Sequence, residues 1–173
     1  KERVENYRMS ASSLTSFVDI CYAGPEAFFK DRILMAPREQ DTDAMIFGTL
    51  VHATFEKVTN DNISDEEALQ FFLSELDKQD LSIETKTRLQ EKGPADLAIS
   101  LKSFREILHQ GKAEVNLGPD KIVIGGVPIT GKIDHITINE DAKEIEIYDF
   151  KTAGYHKEKW TSHATLYKYM LQL

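Results

Sequence analysis

The chain has 173 residues, 41% of them hydrophobic, which is enough for one folded domain with its own core rather than a disordered tail. Its net charge of −8 argues against a broadly basic surface that coats nucleic acid, but it allows an enzyme that holds a backbone locally through a metal ion and a few lysines. A single cysteine, Cys21, excludes an internal disulfide and a complete cysteine metal cluster within these residues.

The apolar stretches are far shorter than a membrane span, and no charged-then-apolar signal segment opens the sequence. We therefore expect a soluble, cytoplasmic protein with no membrane partner. Because the first residue is Lys1 rather than methionine, we also expect the chain to be a fragment of a longer protein.

The first third of the chain shows helical periodicity. A first helix is predicted behind a cap at Ser12, and a second is predicted over residues 25–33. A third helix is predicted to begin near Phe47, with His52 at the edge of its apolar stripe. The apolar positions of the first helix are Leu14, Phe17, Val18 and Cys21.

Three further helices are predicted before the strands begin. One covers residues 65–77, where Ser64 is a suitable N-cap. The other two cover residues 84–91 and 94–108, and the Gly93-Pro94 pair is predicted to separate them.

From residue 111 the periodicity changes to that of strands, which predicts an antiparallel meander followed by one returning helix. The chain is thus predicted to be α/β, with a helical part (1–110) and a sheet part (111–173) in one domain. The predicted strands are 113–117, 121–124, 127–138 and 144–151. The apolar positions of the last helix are Leu166, Tyr169, Met170 and Leu173, and the pattern stops in mid-helix.

Two neighbouring strands of this meander each end in charged residues. Side chains alternate along a strand, so Asp134 lies on the apolar face of one strand, and Asp149 and Lys151 lie on the apolar face of the next. The short polar segment 139–143 predicts a hairpin in which the two aspartates lie opposite each other, far from the turn.

Like charges facing each other across a sheet repel, and their burial is costly unless a cation compensates. Carboxylate oxygens suit a hard divalent ion such as Mg²⁺ or Mn²⁺, and the lysine suits an anionic substrate such as a phosphate. The alternative is a salt-bridged strand end, in which Lys151 simply neutralises one aspartate. These residues alone leave both interpretations open.

Three short motifs occur in the order found in the RecB-like branch of the PD-(D/E)XK nuclease superfamily. Residues 48–52 (GTLVH) resemble its G-x-x-x-H helix, residues 131–134 (GKID) its G-x-x-D strand, and residues 149–152 (DFKT) its D-x-K-T strand. Each motif alone is short enough to arise by chance, but the ordered set is more specific.

The resemblance extends over most of the chain. Residues 10–29 resemble the opening helix pair, Glu114 resembles an acidic position on the first core strand, and Gln172 with Leu173 resembles the start of a closing Q-L-x-x-Y motif. His163 with Tyr167 is a second match to that motif, which we consider weaker because no leucine follows the histidine.

The chain departs from the family where a Cys-Pro pair usually follows the first helix. Here Cys21 is separated from Pro25 by three residues, so we interpret Cys21 as a core residue rather than an iron–sulfur ligand.

The resemblance implies the roles of individual residues. Lys151 would be the catalytic lysine that orients the attacking water, Asp134 and Asp149 the catalytic carboxylates, and Gln172 a group that orients a phosphate or metal-bound water. The implied metal ligands are His52, Asp134, Asp149 and the backbone carbonyl of Phe150.

The same resemblance implies a fold and an activity. The fold would be a restriction-endonuclease-like core, with a central mixed, largely antiparallel sheet flanked by helices, an N-terminal helical layer and a truncated C-terminus. The activity would be that of a Mg²⁺-dependent (or Mn²⁺-dependent) deoxyribonuclease that hydrolyses phosphodiester bonds.

The pattern is most similar to nuclease domains attached to UvrD-like or RecB-like helicases. It implies an exonuclease that acts on single-stranded DNA or duplex ends in recombination and repair, with a helicase module as partner. Two alternatives remain open at this point: a non-cutting module that binds DNA or a helicase, and an α/β domain with chance motifs.

Overall fold

The computed structural model describes residues 7–18, 24–36, 42–118, 122–124 and 126–152. The elements in chain order are β1 (Met9–Ser10), α1 (Ala11–Val18), α2 (Gly24–Phe28), a π-helical turn (Phe29–Ile33), α3 (Asp43–Asp61), α4 (Asp65–Asp77), α5 (Ile83–Leu108), β2 (Lys112–Leu117), β3 (Val123–Ile124), β4 (Val127–Asn139) and β5 (Glu144–Tyr148). The predicted returning helix and Cys21 lie outside the described residues.

The chain divides into two compact units. The first consists of Lys1–Gln40, Asn116–Lys132 and Tyr155–Leu173, and the second of Asp41–Val115 and Ile133–Gly154.

In the first unit, α1 begins directly after β1. The amide N–H of Ser13 donates to Ser10 Oγ at 3.1 Å, so Ser10 caps this helix. The cap predicted at Ser12 is wrong, because Ser12 already lies within the helix. The second predicted helix is confirmed as α2 and the π-helical turn that continues it.

Short strand pairings complete the first unit. β1 runs parallel to β4, with Met9 opposite Ile129, whereas β3 runs antiparallel to it, with Val123 opposite Pro128. Ile129 is buried together with Ile122, which fixes the beginning of β4.

In the second unit, two helix starts follow local capping signals. Thr42 caps α3, which begins at Asp43, one turn earlier than predicted, because the Thr42 hydroxyl accepts from the amide of Met45. The prediction for α4 is confirmed: Ser64 and Glu67 form a reciprocal capping box.

The predicted break at Gly93-Pro94 is wrong, because α5 continues through both residues. Pro94 has no amide N–H, so one helical hydrogen bond is missing there. Packing compensates for it: a Cβ added at Gly93 would lie 2.8 Å from the ring of Phe72, so this ring of α4 packs directly on the α5 backbone. Burial of Leu89 and Leu97 on either side holds the helix together.

These three helices enclose the apolar core of the second unit, against which Phe150 also packs. The buried core residues are Leu50, Val51, Phe55, Val58, Ala68, Phe72, Leu76, Leu89, Leu97, Leu101, Leu108 and Phe150. None of the described helices combines the length and the apolar composition needed to cross a lipid bilayer.

β4 pairs with each of the other four strands, which gives a mixed α/β architecture with a sheet flanked by helices. The predicted hairpin is confirmed: β4 and β5 are antiparallel, with His135 opposite Tyr148 and Asn139 opposite Glu144. The last strand is shorter than predicted, however. β5 ends at Tyr148, so Asp149 and Lys151 follow the strand directly instead of lying within it.

Candidate metal centre

The register of the β4–β5 hairpin brings Asp134 to the first residues after β5. The last paired positions are His135 and Tyr148, and one step further Asp134 faces Asp149. There the amide N–H of Phe150 donates to Asp134 Oδ2 at 2.8 Å. After the last backbone pair of β4 and β5, the Asp134 side chain thus holds the two segments together through this hydrogen bond.

Helix α3 carries His52 to the same carboxylate. Leu50, Val51 and Phe55 are buried in the core, which fixes the rotation of the helix about its axis. His52 Nδ1 then lies 3.6 Å from Asp134 Oδ2, and the exposed fractions of the two side chains are 27% and 15%.

Strand β2 contributes Glu114, whose backbone is unusual. Its φ is +53°, in the left-handed region that non-glycine residues seldom adopt. Its neighbours Ala113 and Val115 are half-buried like Glu114 itself, so the strand departs from simple alternation here. A residue of this kind in a strand re-aims its side chain, at a cost of about 1 kcal/mol or more.

Together these three elements form one group of potential ligands. One ligand atom each from His52, Glu114 and Asp134 lies within 4.8 Å of the other two. An octahedral ion with bonds of about 2.1 Å places its ligand atoms about 3 Å apart in cis and about 4.2 Å apart in trans. The spacing therefore fits one hard divalent ion after small side-chain adjustments.

The charges in this group shift the pKa values of its members. Asp134 raises the pKa of His52, as hydrogen-bonding partner and as a charge, and this outweighs the opposite effects of burial and of Lys151. Burial by itself would raise the pKa of Asp134, but His52, Lys151 and the amide of Phe150 together lower it. Asp134 is thus maintained as a carboxylate.

Lys151 and Asp149 form an ion pair beside this group. Lys151 Nζ lies 2.6 Å from Asp149 Oδ1. The charge of Lys151 also acts on His52 and Asp134, so the lysine is close enough to influence the ligand group. Asp149 does not belong to the group within 4.8 Å.

Phe150 anchors the backbone between these two charged residues. Its ring packs against Phe55 at 4.8 Å and Phe104 at 5.3 Å between centroids. The ring of His135 lies 6.2 Å from the same ring between centroids. It is completely buried, which lowers its pKa, and the backbone of Gln110 and Ile107 partly offsets that effect.

Residues 8–173 match a family model described as the PD-(D/E)XK nuclease superfamily. The chain belongs to this superfamily. The mixed sheet with flanking helices agrees with its restriction-endonuclease-like fold, which confirms the predicted fold class. Comparison with curated proteins finds no match.

Membership implies a nuclease, which is a hydrolase that acts on nucleic acid, and PD-(D/E)XK nucleases generally use divalent metal ions. The donor set of two carboxylates and an imidazole suits such an ion.

The structure brings together two of the predicted ligands, His52 and Asp134, and places the Asp149–Lys151 pair next to them. Glu114 completes the close group, although the sequence favoured it less strongly than Asp149. Its only signal in the sequence was the family resemblance, because a polar residue in a strand is equally compatible with a solvated position. Gln172 lies outside the described residues.

Proposed function

We propose that this protein is a Mg²⁺- or Mn²⁺-dependent deoxyribonuclease of the RecB-like branch, which cleaves the phosphodiester bonds of single-stranded DNA or duplex ends. The observation that carries this proposal is the convergence of His52, Glu114 and Asp134 within 4.8 Å, within range of the charge of Lys151. Three ligands from separate elements meet where a lysine is also present, which is a combination suited to metal-assisted phosphodiester hydrolysis.

His52, Glu114 and Asp134 would hold the ion, and a small local shift of residues 149–150 would allow the Asp149 side chain and the Phe150 backbone carbonyl to join them. When bound, a divalent ion supplies Lewis-acid chemistry at a phosphoryl oxygen and lowers the pKa of a coordinated water.

The side chains of the chain itself have distinct tasks in this proposal. Lys151 attracts the phosphodiester anion and donates a hydrogen bond that orients the attacking water, for which it does not need to lose its proton. Asp149 holds the lysine in place through their ion pair. Asp134 keeps the backbone of Phe150 in register while it faces His52.

We further propose that residues 1–173 act as one nuclease domain, whose helical part (1–110) carries His52 and whose sheet part (111–173) carries the carboxylates. The order of the three motifs supports a domain of the helicase–nuclease type, with exonuclease activity in recombination and repair. In that setting, a helicase module would deliver the strand, and Gln172 would orient a phosphate.

The test is cleavage of end-labelled single-stranded and duplex DNA with Mg²⁺, with Mn²⁺ and with a chelator. We expect metal-dependent cleavage that falls by about 100-fold or more in Lys151→Ala. Lys102→Ala is the matched control, because Lys102 is an exposed lysine on α5 and should not affect cleavage. Cleavage that persists in Lys151→Ala, or in the chelator, would contradict the assigned site.

One observation favours the alternative of a binding module that does not cut. Asp149 is paired with Lys151 and lies outside the close ligand group, as expected if the strand end were only salt-bridged. Asp149→Ala separates the two functions. Loss of cleavage with retained DNA binding supports the nuclease, whereas a parent protein that binds DNA but never cuts it supports the binding module.

A further inference from the structure

After Asp149 the chain runs along helix α3 toward its N-terminus. The ring of Phe150 packs against Phe55, and two residues later the hydroxyl of Thr152 comes close to Gly48. Gly48 lies one helical turn before His52 and on the same side of the helix. The segment from Phe150 to Thr152 therefore passes His52 with Lys151 in its middle.

Gly48 is the position that allows Thr152 to come so close. A Cβ added at Gly48 would lie 2.9 Å from Thr152 Oγ1, and no other heavy atom of the described residues outside the local chain lies within 4 Å of it. Glycine is unfavourable in the interior of a helix, because it adds conformational freedom to the unfolded chain. At Gly48, in the second turn of α3, the missing side chain leaves the space that the threonine hydroxyl occupies.

The Thr152 side chain is exposed, and its hydroxyl lies close to Gly48. Within the part of the chain that the structure describes, this hydroxyl makes no hydrogen bond. Nearby Thr49 is different: it is also exposed, but its hydroxyl donates to the carbonyl of Met45 at 3.0 Å. Of these two threonines, Thr152 is thus the one whose hydroxyl is not bonded to any described residue.

We propose, on the basis of the nuclease function above, that the Thr152 hydroxyl binds the substrate by donating a hydrogen bond to a non-bridging phosphate oxygen next to Lys151. Gly48 is the positioning residue for that hydroxyl. The charge of Lys151 acts on His52, and the Thr152 hydroxyl lies at Gly48, one helical turn or about 5.4 Å away, so one phosphate can contact both groups. A hydroxyl donor to an anionic oxygen forms a strong, charge-assisted hydrogen bond. The hydroxyl and the ammonium group then hold one phosphate from two sides.

The first experiment removes the hydroxyl and keeps the shape of the side chain. Thr152→Val should weaken DNA binding by about tenfold or more, as expected for the loss of one hydrogen bond to a charged group. In single-turnover cleavage, this loss should appear in the DNA concentration needed for half-maximal rate more than in the maximal rate. Thr152→Ser retains the hydroxyl and should recover most of the affinity, and Thr49→Val is the matched control, which should bind like the parent.

Binding is measured by fluorescence anisotropy with a labelled single strand, and with Ca²⁺ in place of Mg²⁺. This readout does not depend on cleavage, so it distinguishes the two proposals. If the parent does not cut DNA but Thr152→Val still binds more weakly than Thr49→Val, the nuclease function fails and the role of Thr152 stands. If the parent cuts and Thr152→Val binds like the parent, the role of Thr152 fails alone. A parent that neither binds nor cuts DNA overturns both.

The second experiment uses melting temperatures to test whether Gly48 makes room for the Thr152 hydroxyl. Gly48→Ala should lower Tm in the parent, because the new Cβ meets the Thr152 hydroxyl, and it should weaken DNA binding as Thr152→Val does. In a Thr152→Ala background the obstacle is gone, so the same Gly48→Ala change should raise Tm through the better helix propensity of alanine. The same change of Tm in both backgrounds would overturn the role of Gly48.

Discussion

The apolar core and the metal centre lie in the same unit but are stabilised in opposite ways. In the core, Phe72, Leu76 and Leu97 are fully shielded from solvent, and their burial stabilises the fold under any ionic conditions. In the centre, the carboxylates of Glu114 and Asp134 approach each other within 4.8 Å and need positive charge, which His52 and Lys151 supply in part at Asp134 and which a metal ion would complete. The apolar core is thus fully stabilised by folding, whereas the metal centre also needs a bound metal ion.

The largest expected effect comes from Asp134→Asn, which should impair the metal centre and leave the apolar core intact. Asp134→Asn keeps a side-chain oxygen that can accept the amide of Phe150 but removes the charge that attracts the metal ion. We expect cleavage to fall on the order of 1,000-fold, which is about 4 kcal/mol of transition-state stabilisation. Single-turnover cleavage measures the loss, and the melting temperature in chelator checks that the fold is retained. Asp96→Asn, at an exposed position on α5, is the control and should cleave like the parent. Unchanged cleavage in Asp134→Asn would show that Asp134 does not belong to the metal centre.

The next effect isolates the core from the centre. Leu97→Ala should lower the free energy of unfolding by about 3 kcal/mol, because it leaves a cavity in a completely buried position. Urea denaturation measures this loss, and the increase in stability on adding Mg²⁺ should stay as in the parent. Ile99→Ala, where the side chain is 67% exposed, should change stability by less than about 0.5 kcal/mol. A reduced Mg²⁺ effect in Leu97→Ala would mean that the two regions are not independent.

One position should affect both regions. Gly111 has a φ of +81°, and an added Cβ would lie 2.0 Å from the carbonyl oxygen of Ile136. Gly111→Ala should therefore force β2 away from β4, lower stability by about 2 kcal/mol and displace Glu114, which lies three residues later. Calorimetry with and without Mg²⁺ measures both effects. Gly118→Ala, where no atom of the described residues lies within 4 Å of the new Cβ, should change neither. A stability loss in Gly111→Ala without weaker metal binding would place Glu114 outside the site.

A smaller effect depends on pH and belongs to the centre alone. Asp134 raises the pKa of His52 above its ordinary value of 6.5 in the folded protein. This contribution to stability is therefore complete below pH 6.5 and is lost as the pH rises through the pKa of the folded state. In chelator, parent stability should decline between pH 6 and 8 by less than about 1 kcal/mol relative to His52→Gln. Urea midpoints measure it, and parallel pH profiles of the two proteins would rule out the His52–Asp134 interaction.

The smallest effect has a sign that depends on the metal ion. Glu114→Gln removes a like charge beside Asp134, so in chelator it should stabilise the protein by a few tenths of a kcal/mol. With Mg²⁺ the same change should lower Tm, because a ligand is lost. The control Glu91→Gln, at an exposed position on α5, should shift Tm alike in both buffers. If Glu114→Gln shifts Tm in the same direction in both buffers, Glu114 is not a metal ligand.

The sequence predicted those parts of the fold that depend on neighbouring residues. The capping box of Ser64 and Glu67 gave the bounds of α4 correctly, because both partners lie within one helical turn. The break predicted at Gly93-Pro94 was wrong for the complementary reason. There, a distant residue, Phe72, packs against the glycine and keeps the helix continuous, so tertiary contacts overrode a strong local signal.

The same limit applies to the candidate site. His52 and Asp134 could be paired in advance because the family resemblance carries information about long-range contacts. The left-handed backbone of Glu114 could not, because nothing about a glutamate in a strand indicates a positive φ. The sequence also placed Asp149 and Lys151 within a strand, whereas β5 ends one residue before Asp149.

The hydrogen bond from the Phe150 amide to Asp134 also restricts which acid can occupy position 134. A glutamate would keep the charge and the affinity for hard cations, but its extra methylene would carry the carboxylate beyond the amide, which lies 2.8 Å from the aspartate oxygen. The two segments would then lose the hydrogen bond that links them at Phe150, between Asp149 and Lys151. The length of one side chain is thus set by the spacing between two strands, whereas the re-aimed backbone at position 114 accommodates the longer acid.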